Sequence, residues 1–271
     1  MIWRACVFLL AGAMLATIGC GGGSGTAPTA SKATPSADPV KKQQASTSEA
    51  YDSAKFKASL KGVVSYEGEQ PKRSQIDTSG DKACHAVHAA EPLLKEDLPL
   101  VKDGKLANVL IYLKTGTEKF SYETPATPVV VDQKGCRYVP HVLGVMVEQP
   151  LQITNSDALA HNVHGLSPIK SGNPDFNKSQ PNAGSRDTVK LPYAEVGYII
   201  QCDVHKWMKV KVGVFEHPFF AVTREDGSYE IANVPPGEYE VEAWHETLKT
   251  QSGKATIKED GAVELNFVFK K

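Results

Sequence analysis

Apolar and polar positions alternate along most of the chain from residue 56 onward. The runs 60–66 (LKGVVSY), 107–114 (ANVLIYLK), 127–131 (TPVVV), 142–154, 198–202 and 210–215 (VKVGVF) are rich in Val, Ile and Tyr and are punctuated by Gly, Pro, Asn and Asp. A period of two sends successive side chains to opposite faces, so each run predicts a strand. The main helix candidate, 83–95, is short. Many strands at close spacing predict an all-β chain built as antiparallel sandwiches or barrels.

The start of the chain follows another pattern. Residues 1–20 (MIWRACVFLLAGAMLATIGC) place one Arg ahead of an apolar run that ends in small residues, which is a secretory leader and too short for a membrane span with flanks. Ala16-Thr17-Ile18-Gly19-Cys20, followed by three glycines, resembles a bacterial lipobox. That resemblance implies a signal peptide over 1–19 and a lipidated Cys20. The exported protein would then be anchored to a bacterial membrane, facing the periplasm or the cell surface. The alternative is an ordinary leader that leaves Cys20 as a spare thiol. Residues 20–55 are dominated by Gly, Ser, Thr, Ala, Pro, Lys and Gln, with no aromatic before Tyr51. Such a segment cannot bury enough surface to fold and is expected to be a disordered linker, holding the folded part about 30–35 Å from its anchor.

A second unit is expected from near His217, dividing the folded part into 56–216 and 217–271. The stretch 220–231 (FAVTREDGSYEI) predicts a hairpin with Asp226-Gly227 at its turn, where glycine accepts positive φ. With Val234-Pro235-Pro236-Gly237, the run 240–244 and a final strand over 262–269, it resembles the carboxypeptidase regulatory-like, transthyretin-related sandwich. Fold alone does not assign a function to it. Residues 61–72 have a similar flavour, and the N-terminal strands can be paired with either unit.

Composition narrows the partners. Lys and Arg number 30 against 31 Asp and Glu, a net charge of −1, and no basic stripe offers a nucleic-acid surface. With 41% hydrophobic residues the chain can bury a real core. Of five cysteines, Cys6 leaves with the leader and Cys20 is the expected lipidation site. Cys84 and Cys136 are then the natural disulfide pair in an oxidising compartment, a bond worth about 3–4 kcal/mol on the loop-entropy model. Cys202 is left over.

Around that leftover cysteine lie the residues that carry chemistry. Cys202-Asp203-Val204-His205-Lys206-Trp207-Met208 spaces a thiol, an imidazole and a thioether by three residues each. One tight loop between strands can aim all three at one centre. A thiolate, two imidazoles and a weak axial thioether form a set that selects copper. The second imidazole is offered by His161 in His161-Asn162-Val163-His164.

Taken together, the two segments resemble the cupredoxins, most closely the amicyanin- and plastocyanin-like members, over roughly 127–216. The resemblance implies a Greek-key sandwich holding one type 1 copper through His161, Cys202, His205 and Met208. It further implies Asn162 hydrogen-bonded across the loop, the edge of His205 as electron port, and a one-electron carrier with a redox partner protein. Trp207 is expected over His205, or simply in the core. His164 differs in parity from His161 and is expected to be a partly exposed neighbour, and His245 a strand-edge residue. His85 and His88 are expected to be solvated on a disulfide-bonded helix. For His141 a structural role and a pocket-lining role stay open, and 166–190 is expected to be a long surface connection.

No Ser-His-Asp order, P-loop or dinucleotide fingerprint is present in the sequence, and the chain is read as a monomeric non-enzyme. Two other readings stay open: a cell-surface glycan- or protein-binding lipoprotein, and a periplasmic copper-capture protein using the same ligands.

Overall fold

A computed structural model describes residues 48–270. The leader, Cys20 and most of the expected linker lie outside them. Between residues 48 and 270 the chain is almost wholly β, with one short α-helix and one 3-10 turn.

Two sandwiches account for all the strands of the described residues but one short pair. In the first, a five-stranded sheet runs Phe176–Gln180, His161–Leu166, Glu195–Gln201, Lys209–Phe215, Val142–Met146. Its companion runs Arg186–Val189, Leu151–Asn155, Val129–Gln133, Tyr138–Val139. Alternation decides what lies between them: Leu151, Ile153, Val163, Tyr198, Ile200, Val210 and Val212 are buried together, while Gln152, Asn162, Ile199 and Lys211 between them are only partly covered. The run 142–154 is split into two strands by a turn in which Glu148 takes φ 63°.

The second sandwich does not follow the division at 216/217 expected from the sequence. Its central strand is Ser59–Glu67, from the N-terminal side of the first sandwich. That strand pairs antiparallel with Ser228–Ile231 and parallel with both Ala262–Glu264 and Phe267–Lys270. The opposing sheet runs Phe220–Val222, Leu110–Leu113, Gly237–His245, Lys249–Ile257. Leu60, Val64, Leu106, Ile111 and Leu113 thus share one core with Phe219, Ile231, Val241, Phe267 and Phe269. The strands of the first sandwich, between 129 and 215, are inserted into the second. Alternation had set which face of 60–66 is buried, but a strand's partner is chosen by tertiary packing, which the pattern does not encode.

A small third core of Leu110, Tyr112, Val142 and Phe215, with Phe220 and Trp244 against it, joins the two sandwiches. Two strand glycines permit the approach. A Cβ on Gly144 would stand 2.3 Å from the Phe220 ring, and one on Gly213 would stand 2.4 Å from Leu110.

Several local expectations are corrected. The helix spans only Lys82–Val87 instead of 83–95: Asp81 caps its start, the His88 N–H already turns back to Cys84 and Ala86, and Pro92 lies just beyond. The run 220–231 does turn at Gly227 (φ 73°), but its strands pair in different sheets, so it is an arch between layers and not a hairpin. The segment 166–190 is not a surface connection alone, since Phe176–Gln180 and Arg186–Val189 each add a strand to one sheet of the first sandwich. The end of the expected linker is also structured. Glu49–Ala50 pairs with Phe120–Ser121, and Tyr51 stacks on Phe56 at 5.7 Å and donates its hydroxyl to the Asn233 carbonyl at 2.7 Å.

Candidate metal centre

At one end of the first sandwich a strand start and a tight loop meet. His161 opens the strand His161–Leu166, whose alternation buries His161, Val163 and Gly165 and leaves Asn162 and His164 less covered. The chain leaves Glu195–Gln201 at Cys202 and re-enters the sheet at Lys209. Between them the loop is closed by the Cys202 N–H donating to the Met208 carbonyl (3.1 Å) and the Met208 N–H donating to the His205 carbonyl (2.8 Å).

This closure brings the sequence-predicted residues together. His161, Cys202 and His205 are all buried, and one potential ligand atom from each lies within 4.8 Å of the others. The two Nδ1 atoms are 3.0 Å apart, and Cys202 Sγ is 3.7 Å from His205 Nδ1. Three ligands at metal bond lengths of about 2.0–2.3 Å stand about 3.5–4 Å from one another in a plane, so a small outward adjustment of the imidazoles would accommodate an ion. Met208 is fully buried in the core that surrounds Cys202.

The electrostatics suit a soft cation. Burial alone would push the Cys202 thiol up. Hydrogen bonds from His161 and His205, with the main-chain N–H groups of Asn162 and His205, outweigh it and bring the thiol down to about 5. Burial would likewise lower His161, but Asp157 and the Cys202 sulfur raise it to about 9. His205 is held above its ordinary value by the Cys202 sulfur, against burial and with help from Asp81. Without an ion, the sulfur anion and the raised imidazoles neutralise one another, and an entering cation would take the place of the imidazole protons on the same nitrogens.

Two supports were not identified from sequence. His161 Nε2 lies 2.9 Å from Asp157 Oδ2, and His205 Nε2 lies 3.2 Å from Asp81 Oδ2. Each carboxylate also accepts main-chain N–H groups: Asp157 from Gly135 and Cys136, Asp81 from Ala83 and Cys84. Cys84 and Cys136 are disulfide-bonded, as expected, so one covalent link staples together the segments that hold both rings. Far-nitrogen carboxylates of this kind fix ring orientation and donor strength. Asp157 stands four residues before His161, a spacing that could have been searched, whereas no sequence signal connects Asp81 to His205.

Asn162 reaches across as expected, its Oδ1 accepting from the Asp203 N–H at 2.7 Å and standing 3.3 Å from Cys202 Sγ. Trp207 covers His205 at a ring distance of 5.2 Å and donates its indole N–H to the Cys136 carbonyl at 3.0 Å. The edge of His205, expected as the electron port, lies under Asp81 and Trp207, and the residue is only 1% exposed.

Six histidines remain, of which His217 stacks on Phe219. His164 sits outside the cluster against Asp203 and Asp175. His141 is buried, its Nδ1 3.0 Å from the Lys209 carbonyl and its Nε2 paired with Glu246 of the second sandwich, so it ties the loop exit to that sandwich. His245 ends an interior strand, and its Nδ1 accepts from the Thr247 and Leu248 N–H groups of the next turn. His85 is exposed beside Thr78, while His88 reaches the Gly135 carbonyl at 2.9 Å.

A family model, the second β-sandwich domain of the BOS complex subunit NOMO1-like proteins, matches residues 217–267. Comparison with curated protein sequences gives no match. Among solved structures, the chain is similar to part of the Cu-containing nitrite reductase (NirK) from Thermus scotoductus SA-01, at 19% identity and TM-score 0.31, over 44% of this chain and 26% of that one. It thus spans about a quarter of that reductase. A reduced amicyanin variant is similar at 24% identity and TM-score 0.30, over 34% of this chain and 86% of the other. A novel purple cupredoxin from Nitrosopumilus maritimus is similar at 22% identity and TM-score 0.27, over 31% and 97%.

Proposed function

We propose that the protein would hold one copper ion through His161, Cys202 and His205, with the Met208 thioether as a further donor, and carry single electrons. The observation that supports this reading is the buried convergence of one thiol and two imidazoles from segments separated along the chain. When bound, copper would supply one-electron redox chemistry and a strong sulfur-to-metal charge-transfer absorption.

The chain's own residues supply the rest. Cys202 offers an anionic sulfur, and the closed loop from Cys202 to Met208 fixes its direction. Asp157 and Asp81 pin the two rings from behind, so the ligand frame resists rearrangement when the charge at the centre changes. Burial of all three donors excludes water and exchangeable ligands. That closure favours a retained ion over one delivered elsewhere. Because Asp81 and Trp207 cover His205, electrons would pass through this cover to reach a redox partner protein. Tethering of the exported chain through a lipidated Cys20, on the envelope side of a bacterial membrane, completes the proposal.

The test is colour and copper retention. The full chain loaded with Cu(II) should absorb intensely in the visible, bleach reversibly with one electron equivalent, and lose the band in Cys202→Ser. Copper stripped at once by a mild chelator would favour the capture protein, and no bound copper would leave a tethered binding protein.

A further inference from the structure

We propose that reduction of the Cys84–Cys136 disulfide opens a second soft-metal site, formed by Cys84, Asp81 and His205, on the far side of the His205 ring from Cys202. Asp81, Cys84 and His205 each offer a potential ligand atom within 4.8 Å of the other two. The ring atom on that side is Nε2, 3.2 Å from Asp81 Oδ2, while Nδ1 faces His161 and Cys202. One imidazole therefore stands between two donor groups. In the oxidised chain the Cys84 sulfur is spent on Cys136. Freed, it adds a thiolate to a carboxylate and an imidazole nitrogen, a set suited to Cu(I) or Zn(II).

The chemistry balances with a dithiol as reductant, either a small molecule or a protein with a Cys-x-x-Cys pair. Its thiolate attacks one sulfur of the disulfide, its second thiol resolves the mixed disulfide, and two electrons and two protons pass to Cys84 and Cys136. The metal then displaces the Cys84 thiol proton to solvent. Access is local: of the six residues of Lys82–Val87 only Cys84 is buried, so opening this single turn draws one side chain, the disulfide sulfur itself, from the first sandwich's core and leaves the core of the second intact. Because the new site uses Nε2, it does not depend on copper being held by Cys202.

The experiment uses the full chain in a Cys202→Ser background, which removes the first site. Competition for Cu(I) against a chromogenic chelator is measured before and after dithiol treatment. One equivalent should be held at least 10-fold more tightly after reduction, and the gain should vanish when Cys84→Ser is added, although Cys136 and the N-terminal thiols remain. Cys136→Ala in the same background frees Cys84 without any reductant and should behave like the reduced chain, with near-UV circular dichroism reporting that the fold persists. Superimposable competition curves with and without Cys84 overturn the proposal, as does loss of the folded state in both the reduced chain and Cys136→Ala. Failure of the parent protein to bind copper at Cys202 would instead strike the preceding proposal and leave this one standing.

Discussion

Asp81 Oδ2 stands 3.2 Å from His205 Nε2, joining residues 124 apart in sequence, and the same side chain accepts the Ala83 and Cys84 N–H groups at the start of the only α-helix among the described residues. One carboxylate thus serves a ring and a helix at once, and the two roles can be separated. Asn is a good cap but a poor partner for an imidazole N–H bearing positive charge. Asp81→Asn should weaken copper binding about 10-fold or more in chelator competition, with little change in the urea midpoint. Asp81→Ala should show the same weakening and lose about 1 kcal/mol of stability as well. Equal copper affinity in all three proteins would remove Asp81 from the site.

Met208 is fully buried beside Cys202, so its role as ligand and its role as core side chain must be told apart. Leu keeps nearly the same volume and should cost less than about 1.5 kcal/mol. It has no sulfur, and a thioether donor would stabilise the oxidised ion. Met208→Leu should therefore raise the reduction potential measured by voltammetry while the thermal unfolding curve barely moves. A potential unchanged within error would make Met208 packing only.

Burial lowers both His217 and His245 to about 4, and in each ring Nδ1 accepts main-chain N–H groups that a proton would displace. Folded, they stay neutral down to that value, whereas unfolded they take up protons near 6.5. The stability they contribute is fully present above pH 6.5 and is lost as pH falls toward 4, at about 1.4 kcal/mol per pH unit for each. His245→Asn keeps an acceptor for the turn but cannot titrate. Its urea-derived stability should fall less steeply between pH 6.5 and 4 than that of the parent. Parallel slopes would show that His245 protonates normally in the fold.

The pairing of Ser59–Glu67 with three C-terminal strands makes residues 217–271 an incomplete sandwich. Without Leu60, Val64, Ile111 and Leu113 its core lacks one central strand and part of the opposing sheet. The isolated fragment 217–271 should show no cooperative unfolding transition, while a single chain joining 56–114 to 217–271 should regain one. A cooperative transition in the fragment alone would contradict the shared core.

What was legible in the sequence was local. Alternation located most strands, and the spacing Cys202, His205, Met208, together with His161-Asn162, pointed to one cluster because a single loop and a single strand start set those positions. The parity argument that separated His161 from His164 holds for the same reason, since period two is a property of the backbone itself. Illegible were features created by contact between distant segments: Asp81 behind His205, Glu246 on His141, and the choice of Phe267 as partner for Val64. Hydrophobic pattern selects a face, not a neighbour, so these could be read only once the sheets were assembled.

The inserted arrangement also sets an order of events. Val64 is made before the first sandwich yet pairs with Phe267, which is made after it. Its strand must remain unsatisfied while the whole intervening sandwich is produced, a long-range closure of the kind that slows folding and leaves an edge open to wrong partners. The domain carrying Cys202 and His161 contains its own strands and can close first. A nascent chain would then hold a closed first sandwich within a host still waiting for Ala262–Glu264 and Phe267–Lys270.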